Sequence, residues 1–106
     1  MNDEIIKQEK KLMKFVDLYL KDKNLNVWHL AILNAVVNLG FQQGQRKRIK
    51  VSRSLIMKLS HINTIPTYHK YFKQLQDFGY IRYKPSYHPS RRSEIKLYEK
   101  RLSQDL

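Results

Sequence analysis

Apolar residues recur at helical spacing in the first part of the chain. Between residues 4 and 21 they form one stripe, and Asp3 stands where an N-cap is expected. A more apolar stretch covers residues 27–39, between a predicted N-cap at Asn26 and a predicted stop at Gly40. We therefore expect two helices, the second at the centre of the core. The expected inward residues are Ile5, Leu12, Met13, Phe15, Val16, Tyr19 and Leu20, then Trp28, Ala31, Ile32, Ala35, Val36 and Leu39.

Two further helical stretches follow a polar, basic loop. Ser52 is the expected N-cap of a helix over residues 53–59. Thr64 is the expected N-cap of a helix over residues 65–78, which ends at Gly79. The expected inward residues of these two helices are Leu55, Leu59, Tyr68, Phe72, Leu75 and Phe78.

Alternation of apolar and polar residues, which is typical of β-strands, occurs in three short runs. Residues 49–51 alternate before the third helix, and residues 80–84 and 94–98 alternate after the fourth. Residues 85–93 between the last two runs contain two prolines and three serines, which indicate an exposed hairpin loop. The pattern predicts a mainly α fold with a small β-hairpin.

Charge is unevenly distributed along the 106 residues. The chain has 21 Lys and Arg against 9 Asp and Glu, a formal net charge of +12. Residues 1–45 carry a net charge of only +1, whereas residues 46–106 carry +11. Such a field attracts polyanions, nucleic acid first and anionic membrane second. A protein that is basic only for solubility is the alternative, but it leaves the asymmetry without a cause.

Composition excludes several classes of function. Cysteine is absent, which removes disulfides, thiolate zinc sites and cysteine nucleophiles. The four histidines lack metal-ligand spacing, so no metal is expected, and His29 is expected at the edge of the core. No apolar run approaches the ~20 residues needed to cross a membrane, and the acidic first residues do not resemble a signal peptide. We therefore expect a cytoplasmic protein without a membrane partner.

One arrangement of polar residues suggests an enzyme. Asp77, Glu94 and Lys96 match the Asp…Glu-x-Lys pattern that holds Mg²⁺ in some nucleases. The match is weak, because Asp77 falls at the end of a predicted helix, where a nuclease has the start of a strand. With three glycines in the chain, no Gly-rich phosphate loop is present. We expect neither catalysis nor a cofactor.

The segment TYHKYFKQLQDFGYI, residues 67–81, carries a family resemblance. The end of this segment resembles the end of the recognition helix in bacterial winged helix-turn-helix DNA-binding proteins. It consists of Leu75, two polar residues, Phe78, Gly79 and an apolar pair. The resemblance extends over residues 51–98, and a looser likeness links the chain to small winged-helix proteins of mobile elements. It implies a three-helix core plus wing, preceded here by an extra N-terminal helix. The turn before Tyr68 departs from the family, because it is longer and lacks the usual glycine.

The resemblance also implies which surfaces contact DNA. The helix over residues 65–78 would lie in the major groove, and the wing, residues 85–93, on the backbone or in the minor groove. Helical geometry turns Tyr71 and its polar neighbours outward, with His69, Lys70 and Gln74 as base readers and Lys73 as a phosphate contact; an ordinary solvated face is the alternative. The start of the third helix is a candidate anion site. The candidate DNA-binding residues are Ser52, Arg53, Thr67, His69, Lys70, Lys73, Gln74, Arg91 and Arg92, with Arg46, Lys47 and Arg48 as a further phosphate contact.

The sequence thus predicts a sequence-specific protein for double-stranded DNA, a transcriptional regulator with its binding domain in residues 24–106. Residues 1–23 carry nearly a heptad seam, so we expect a homodimer and a palindromic site with half-sites about one helical turn apart. An accessory protein of replication or recombination and a protein-interaction module remain alternatives. RNA binding is less favoured, because most of the seven tyrosines alternate into predicted core faces.

Overall fold

The computed structural model describes residues 3–98 of the chain. This part contains four helices and a three-stranded antiparallel sheet, so the mainly α fold with a small β element is confirmed. The elements are α1 (Asp3–Lys21), α2 (Val27–Gln43), β1 (Ile49–Val51), α3 (Arg53–Ser60), α4 (Ile65–Phe78), β2 (Ile81–Lys84) and β3 (Ser93–Leu97).

Helix α2 forms the centre of the core, as its composition predicts. Helices α1, α3 and α4 and strand β1 all pack against it. Ile32, Leu33 and Val36 are completely buried, and each apolar side chain of this size stabilises the fold by about 1.5–3 kcal/mol. Trp28 was predicted to face inward but is 40% exposed, because it lies in the first turn, beyond the end of the core.

Gly40 does not end α2, contrary to the prediction. The helix continues to Gln43, and its C-cap is Gly44 in the left-handed conformation, with φ of 64°. A Cβ on Gly40 would lie 2.7 Å from the main-chain oxygen of Gln45 and 2.8 Å from Cδ1 of Ile49. The helix needs a glycine here because the chain entering β1 passes directly against it.

Helix α1 packs on α2 through a narrower face than the sequence suggests. Phe15 and Tyr19 are buried and belong to the same apolar cluster as the residues of α2. Met13 and Leu20, predicted to face inward, are 55% and 64% exposed, because they lie outside the stripe that Phe15 and Tyr19 bury. The side chains of the two other predicted contacts, Ile5 and Leu12, lie outside the described part of the chain.

Helix α3 is rotated relative to its predicted orientation. Ile56 and Ser60 are buried, whereas Leu59, predicted to face inward, is exposed, and Leu55 is only half-buried. Both pairs of residues are four apart, so helical spacing alone does not choose between them. His61 caps the helix in the left-handed conformation, with φ of 60°, which favours glycine over residues that carry a side chain.

The three strands are ordered β1-β3-β2, so β3 is the central strand. On the inner face, Ile95 of β3 pairs with Ile49 of β1 and with Tyr83 of β2. On the outer face, Glu94 lies between Lys50 and Lys84, and Arg82 pairs with Lys96. The sheet thus presents apolar side chains to the helices and charged side chains to solvent. Residues 85–92 form the β2–β3 loop.

Candidate nucleic-acid interface

Helix α4 lies at the edge of the core with one apolar face inward. Tyr68, Phe72 and Leu75 are buried, as the spacing predicts. Pro66 stands in the first turn, where a missing N–H costs little. The helix ends at Gly79, whose φ of 87° turns the chain directly into β2. These features fix which side of α4 faces solvent.

The outward side of α4 carries three of the residues predicted to contact DNA. His69, Lys70 and Lys73 are exposed, and Thr67 is half-buried. The Lys70 ammonium nitrogen lies 5.3 Å from the centre of the Tyr71 ring, within cation–π range. This contact leaves the Lys70 charge at the surface while restricting its side chain.

Gln74 and Tyr71 are half-buried, so these two residues are less exposed than helical geometry predicts. Gln74 Oε1 is 2.6 Å from Nε2 of His29. The Tyr71 ring stacks on Trp28 with 6.2 Å between ring centres and meets the His29 ring edge-on. Bidentate pairing with adenine requires the amide oxygen of glutamine. In the protein without DNA, this oxygen is engaged between α4 and α2.

His29 connects the start of α2 to α4. The Asn26 side chain accepts hydrogen bonds from the main-chain N–H groups of Trp28 and His29, and the Asn26 N–H donates to His29 Nδ1 at 3.0 Å. Because Nδ1 accepts, the ring proton is on Nε2, which donates to Gln74. Burial lowers the pKa of His29, and the Gln74 hydrogen bond and the charge of Asp22 oppose this effect. His29, predicted at the edge of the core, is thus a buried, neutral residue that joins α2 to α4.

A chain of contacts couples α4 to the β2–β3 loop. The Tyr68 ring stacks on Phe72 at 5.1 Å, and Phe72 meets the Tyr83 ring edge-on at the same distance. The Tyr83 hydroxyl donates to Ser93 Oγ at 3.2 Å, and the main-chain N–H of Ser86 donates to the same oxygen at 3.1 Å. The base of the loop is therefore held in a defined position relative to α4.

The start of α3 lies close to the same cluster. Ser52 Oγ accepts a hydrogen bond from the Leu55 N–H, so this hydroxyl caps the helix. Arg53 is exposed, and its guanidinium is near enough to Tyr68 to influence that hydroxyl electrostatically. Burial raises the pKa of Tyr68, nearby Tyr83 adds to the rise, and the charge of Arg53 opposes it. Arg53 thus adds an exposed positive charge at the start of α3, which packs on α2.

The β2–β3 loop carries the remaining two candidates, Arg91 and Arg92, both exposed. The Arg91 N–H donates to the His88 carbonyl at 3.1 Å, and Ser90 Oγ lies 2.7 Å from His88 Nδ1. These short-range bonds shape the loop as a turn. Tyr87 in the same loop is almost fully exposed.

Sequence reasoning missed the charged outer face of the sheet. Lys50, Lys84 and Glu94 are neighbours there, and all three line one open cavity. The alternation that predicts the strands also places these residues on the opposite side from the apolar ones. The sequence predicts the hairpin that places Lys84 beside Glu94, but it does not predict the pairing of β1 with β3, which brings Lys50 beside Glu94.

The residues proposed for nuclease chemistry are spread over different elements. Asp77 lies in the last turn of α4, whereas Glu94 and Lys96 lie on β3. Among residues 3–98, excluding side chains left undescribed in α1, no group of three or more His, Cys, Asp or Glu is placed to hold a metal ion. In the same part of the chain, no helix combines the length and apolar character required to cross a bilayer.

Comparisons with protein-family models, with curated proteins and with solved structures each return no match. Function is therefore inferred from the geometry and charge of the residues themselves.

Proposed function

We propose that this protein is a winged-helix protein that binds double-stranded DNA in a sequence-specific manner and regulates transcription. The observation that carries the proposal is that exposed cations stand on three elements joined through the core. Arg53 lies at the start of α3, which packs on α2, as does α4 with Lys70 and Lys73. The base of the loop that carries Arg91 and Arg92 is joined to α4 through Phe72 and Tyr83.

The arrangement of elements supports the winged-helix interpretation. Helices α2, α3 and α4 supply a three-helix core, and the sheet order β1-β3-β2 places the β2–β3 hairpin beside α4. The hairpin loop would be the wing. Helix α1 is an addition to this core that packs on α2.

Helix α4 reads the bases in this proposal. An α-helix with its side chains is about 10–12 Å across, which matches the roughly 12 Å width of the major groove. Lys70 donates to guanine acceptors, His69 contacts base edges, and Lys73 holds a phosphate. Arg91 and Arg92 hold the backbone or enter a narrow minor groove, where negative potential is concentrated.

Variants of these residues separate base reading from phosphate binding. A preferred duplex is first selected from a random library, and affinities are then measured by fluorescence anisotropy. Lys70→Ala is expected to cost about 1–3 kcal/mol on the preferred duplex and to relax its preference. Arg91→Ala with Arg92→Ala is expected to weaken all duplexes alike and to reduce the salt slope by about 0.9 per lost contact.

Lys23→Ala is the matched control, because Lys23 is an exposed lysine in the turn between α1 and α2, away from α4, the β2–β3 loop and the start of α3. It is expected to change neither preference nor slope by a comparable amount. If Lys70→Ala and the double arginine variant weaken all duplexes to the same extent, α4 does not read bases.

The proposal includes a homodimer formed by a second copy of the chain on α1. The seam predicted from the sequence, positions 5, 12, 16 and 19, includes Tyr19, which is buried in the core of the same chain. Met13 and Leu20, which are seven residues apart, exposed and apolar, offer a different seam to a second copy. Leu20 also lines a groove with Val16 and Val27, whose volume is about 340 Å³. Leu20→Lys should convert a dimer to a monomer in sedimentation equilibrium without loss of helical circular dichroism. A wild-type monomer at high protein concentration would refute the dimer.

A further inference from the structure

The outer face of the sheet holds a carboxylate surrounded by cations. The strand register places Glu94 on the central strand, directly between Lys50 of β1 and Lys84 of β2. These three residues, together with Arg91 and Arg92, line an open cavity of about 710 Å³. The cavity walls are therefore the sheet on one side and the β2–β3 loop on the other.

A second cavity continues from the first toward the α2–β1 loop. It has a volume of about 790 Å³ and is also lined by Lys50, Arg92 and Glu94, with Arg48 added from the loop. The two cavities form one surface, which we name the basic concavity. It consists of Arg48, Lys50, Lys84, Arg91 and Arg92 around Glu94.

The edge of this surface is rigidly built. Strand β1 is an edge strand, whose unpaired main-chain groups normally invite pairing with another chain. Here the Gln43 side chain donates to the Lys50 carbonyl and accepts from the Lys50 N–H, both at 2.8 Å. The main chain of Lys50 is therefore fixed, and its exposed ammonium group extends from a defined position.

The basic concavity and α4 are on opposite faces of the sheet. Phe72 of α4 packs on Tyr83 of β2 from the inner side. Because side chains alternate along a strand, the adjacent Lys84 points to the outer side, where the register pairs it with Glu94. A duplex segment held by Lys50 and Lys84 is therefore a different segment from the one lying on α4, and Arg91 and Arg92, in the loop that joins β2 to β3, are available to either segment.

We propose that the basic concavity is a second binding surface for the phosphate backbone of duplex DNA, and that the negative charge of Glu94 lowers the affinity of this surface for DNA. This inference rests on the proposed function, since it takes duplex DNA as the ligand of α4. Five cations on one concave surface match a run of phosphates, which repel the carboxylate at its centre. The concavity thus provides non-specific contact with a second segment of duplex, while α4 selects the site.

Removing the carboxylate charge is the most direct test. Glu94→Gln is expected to bind a random 20-bp duplex about fivefold more tightly at low salt, with a smaller gain as salt screens the charge. Asp3→Asn makes the same change in net charge at the exposed first residue of α1, ten residues from Met13, and is expected to have little effect. If Glu94→Gln binds no more tightly than Asp3→Asn, no phosphate lies near Glu94 and the inference is wrong.

The cations are tested by their ability to hold two duplexes together. Two 20-bp duplexes that carry a donor and an acceptor dye are mixed with the protein, and energy transfer reports bridging. The double variant Lys50→Ala, Lys84→Ala is expected to lose bridging while retaining the preference of α4 for its selected duplex. A dimer that bridges only through its two α4 helices would retain energy transfer in this variant, and that result would overturn the inference.

The two proposals fail in distinguishable ways. If neither wild type nor Glu94→Gln binds duplex DNA at low salt, both the proposed function and this inference are refuted. If wild type binds duplex DNA and Lys50→Ala, Lys84→Ala leaves affinity, salt slope and bridging unchanged, only the second surface is refuted. Thermal melting by circular dichroism shows that the variants remain folded.

Discussion

Replacing His29 tests how α4 is held against the core. In the folded protein, Nδ1 of His29 accepts from the Asn26 N–H and Nε2 donates to Gln74, so both ring nitrogens are used by the neutral form. Protonation would place a second donor against the Asn26 N–H. The pKa of His29 is therefore lowered from 6.5, chiefly by burial.

This shift makes stability depend on pH. Because the folded pKa lies below the unfolded value, the unfolded chain takes up the proton first as pH falls. The contribution of neutral His29 is complete above about pH 6.5 and is lost as pH falls toward the folded pKa. The loss is at most about 1.4 kcal/mol for each pH unit in this window.

His29→Gln is the informative variant, because glutamine at this position can still accept from the Asn26 N–H in a capping box. The variant loses the hydrogen bond to Gln74, worth about 1 kcal/mol, and the ring contacts with Tyr71 and Phe78, worth about 0.5–1.5 kcal/mol each. We expect a total loss of about 2–4 kcal/mol at pH 8.

The difference between wild type and His29→Gln should shrink as pH falls, since only the wild type has a histidine to protonate at this site. At pH 5.5 the difference is expected to be smaller by up to about 1.4 kcal/mol. Urea denaturation at pH 8.0, 6.5 and 5.5 measures it. The exposed histidines 61, 69 and 88 are present in both proteins and cancel. A constant difference across this range would refute the assignment of a neutral, buried His29.

Three further predictions concern the fold around the interface. Gly40→Ala should destabilise the protein in urea denaturation, because overpacking against Ile49 costs about 1–3 kcal/mol and outweighs a gain in helix propensity of about 1 kcal/mol; increased stability would show that β1 shifts freely. His61→Gly should raise the melting temperature, because glycine adopts the left-handed conformation without strain, a gain of about 0.5–1 kcal/mol; an unchanged or lower melting temperature would contradict this. Tyr83→Phe removes the hydrogen bond to Ser93 and should cost about 1 kcal/mol; hydrogen exchange in residues 85–92 should accelerate, and unchanged exchange would contradict the coupling of the loop to α4.

The sequence predicts α4 and its inward face correctly because the apolar spacing there is regular. Tyr68, Phe72 and Leu75 all face the core as expected. Leu59 was wrongly predicted to face the core. Residues 55 and 59 have the same spacing as residues 56 and 60, and only the packing of α2 against α3 determines which pair is buried. Gly40 was wrongly predicted to end α2. A sequence does not distinguish a glycine that ends a helix from one that is required because another part of the main chain lies against it.

The candidate site was predictable only in part. The exposure of Lys70 and Lys73 follows from helical geometry alone. The engagement of Gln74 does not, because its partner His29 is 45 residues away and is positioned by the cap of α2. The clustering of Lys50 around Glu94 likewise depends on a strand pairing between distant parts of the chain.

Salt-dependent binding of duplex DNA tests the central claim most directly. Fluorescence anisotropy is measured with a random-sequence duplex between 50 and 200 mM salt and repeated with a matched single strand. For about 6–10 phosphate contacts, affinity for the duplex is expected to fall by about 10³–10⁵ over this range, with weaker binding to the single strand. Salt-insensitive binding, or no binding to either form, would contradict the proposal that the positive charge of residues 46–106 serves to hold DNA.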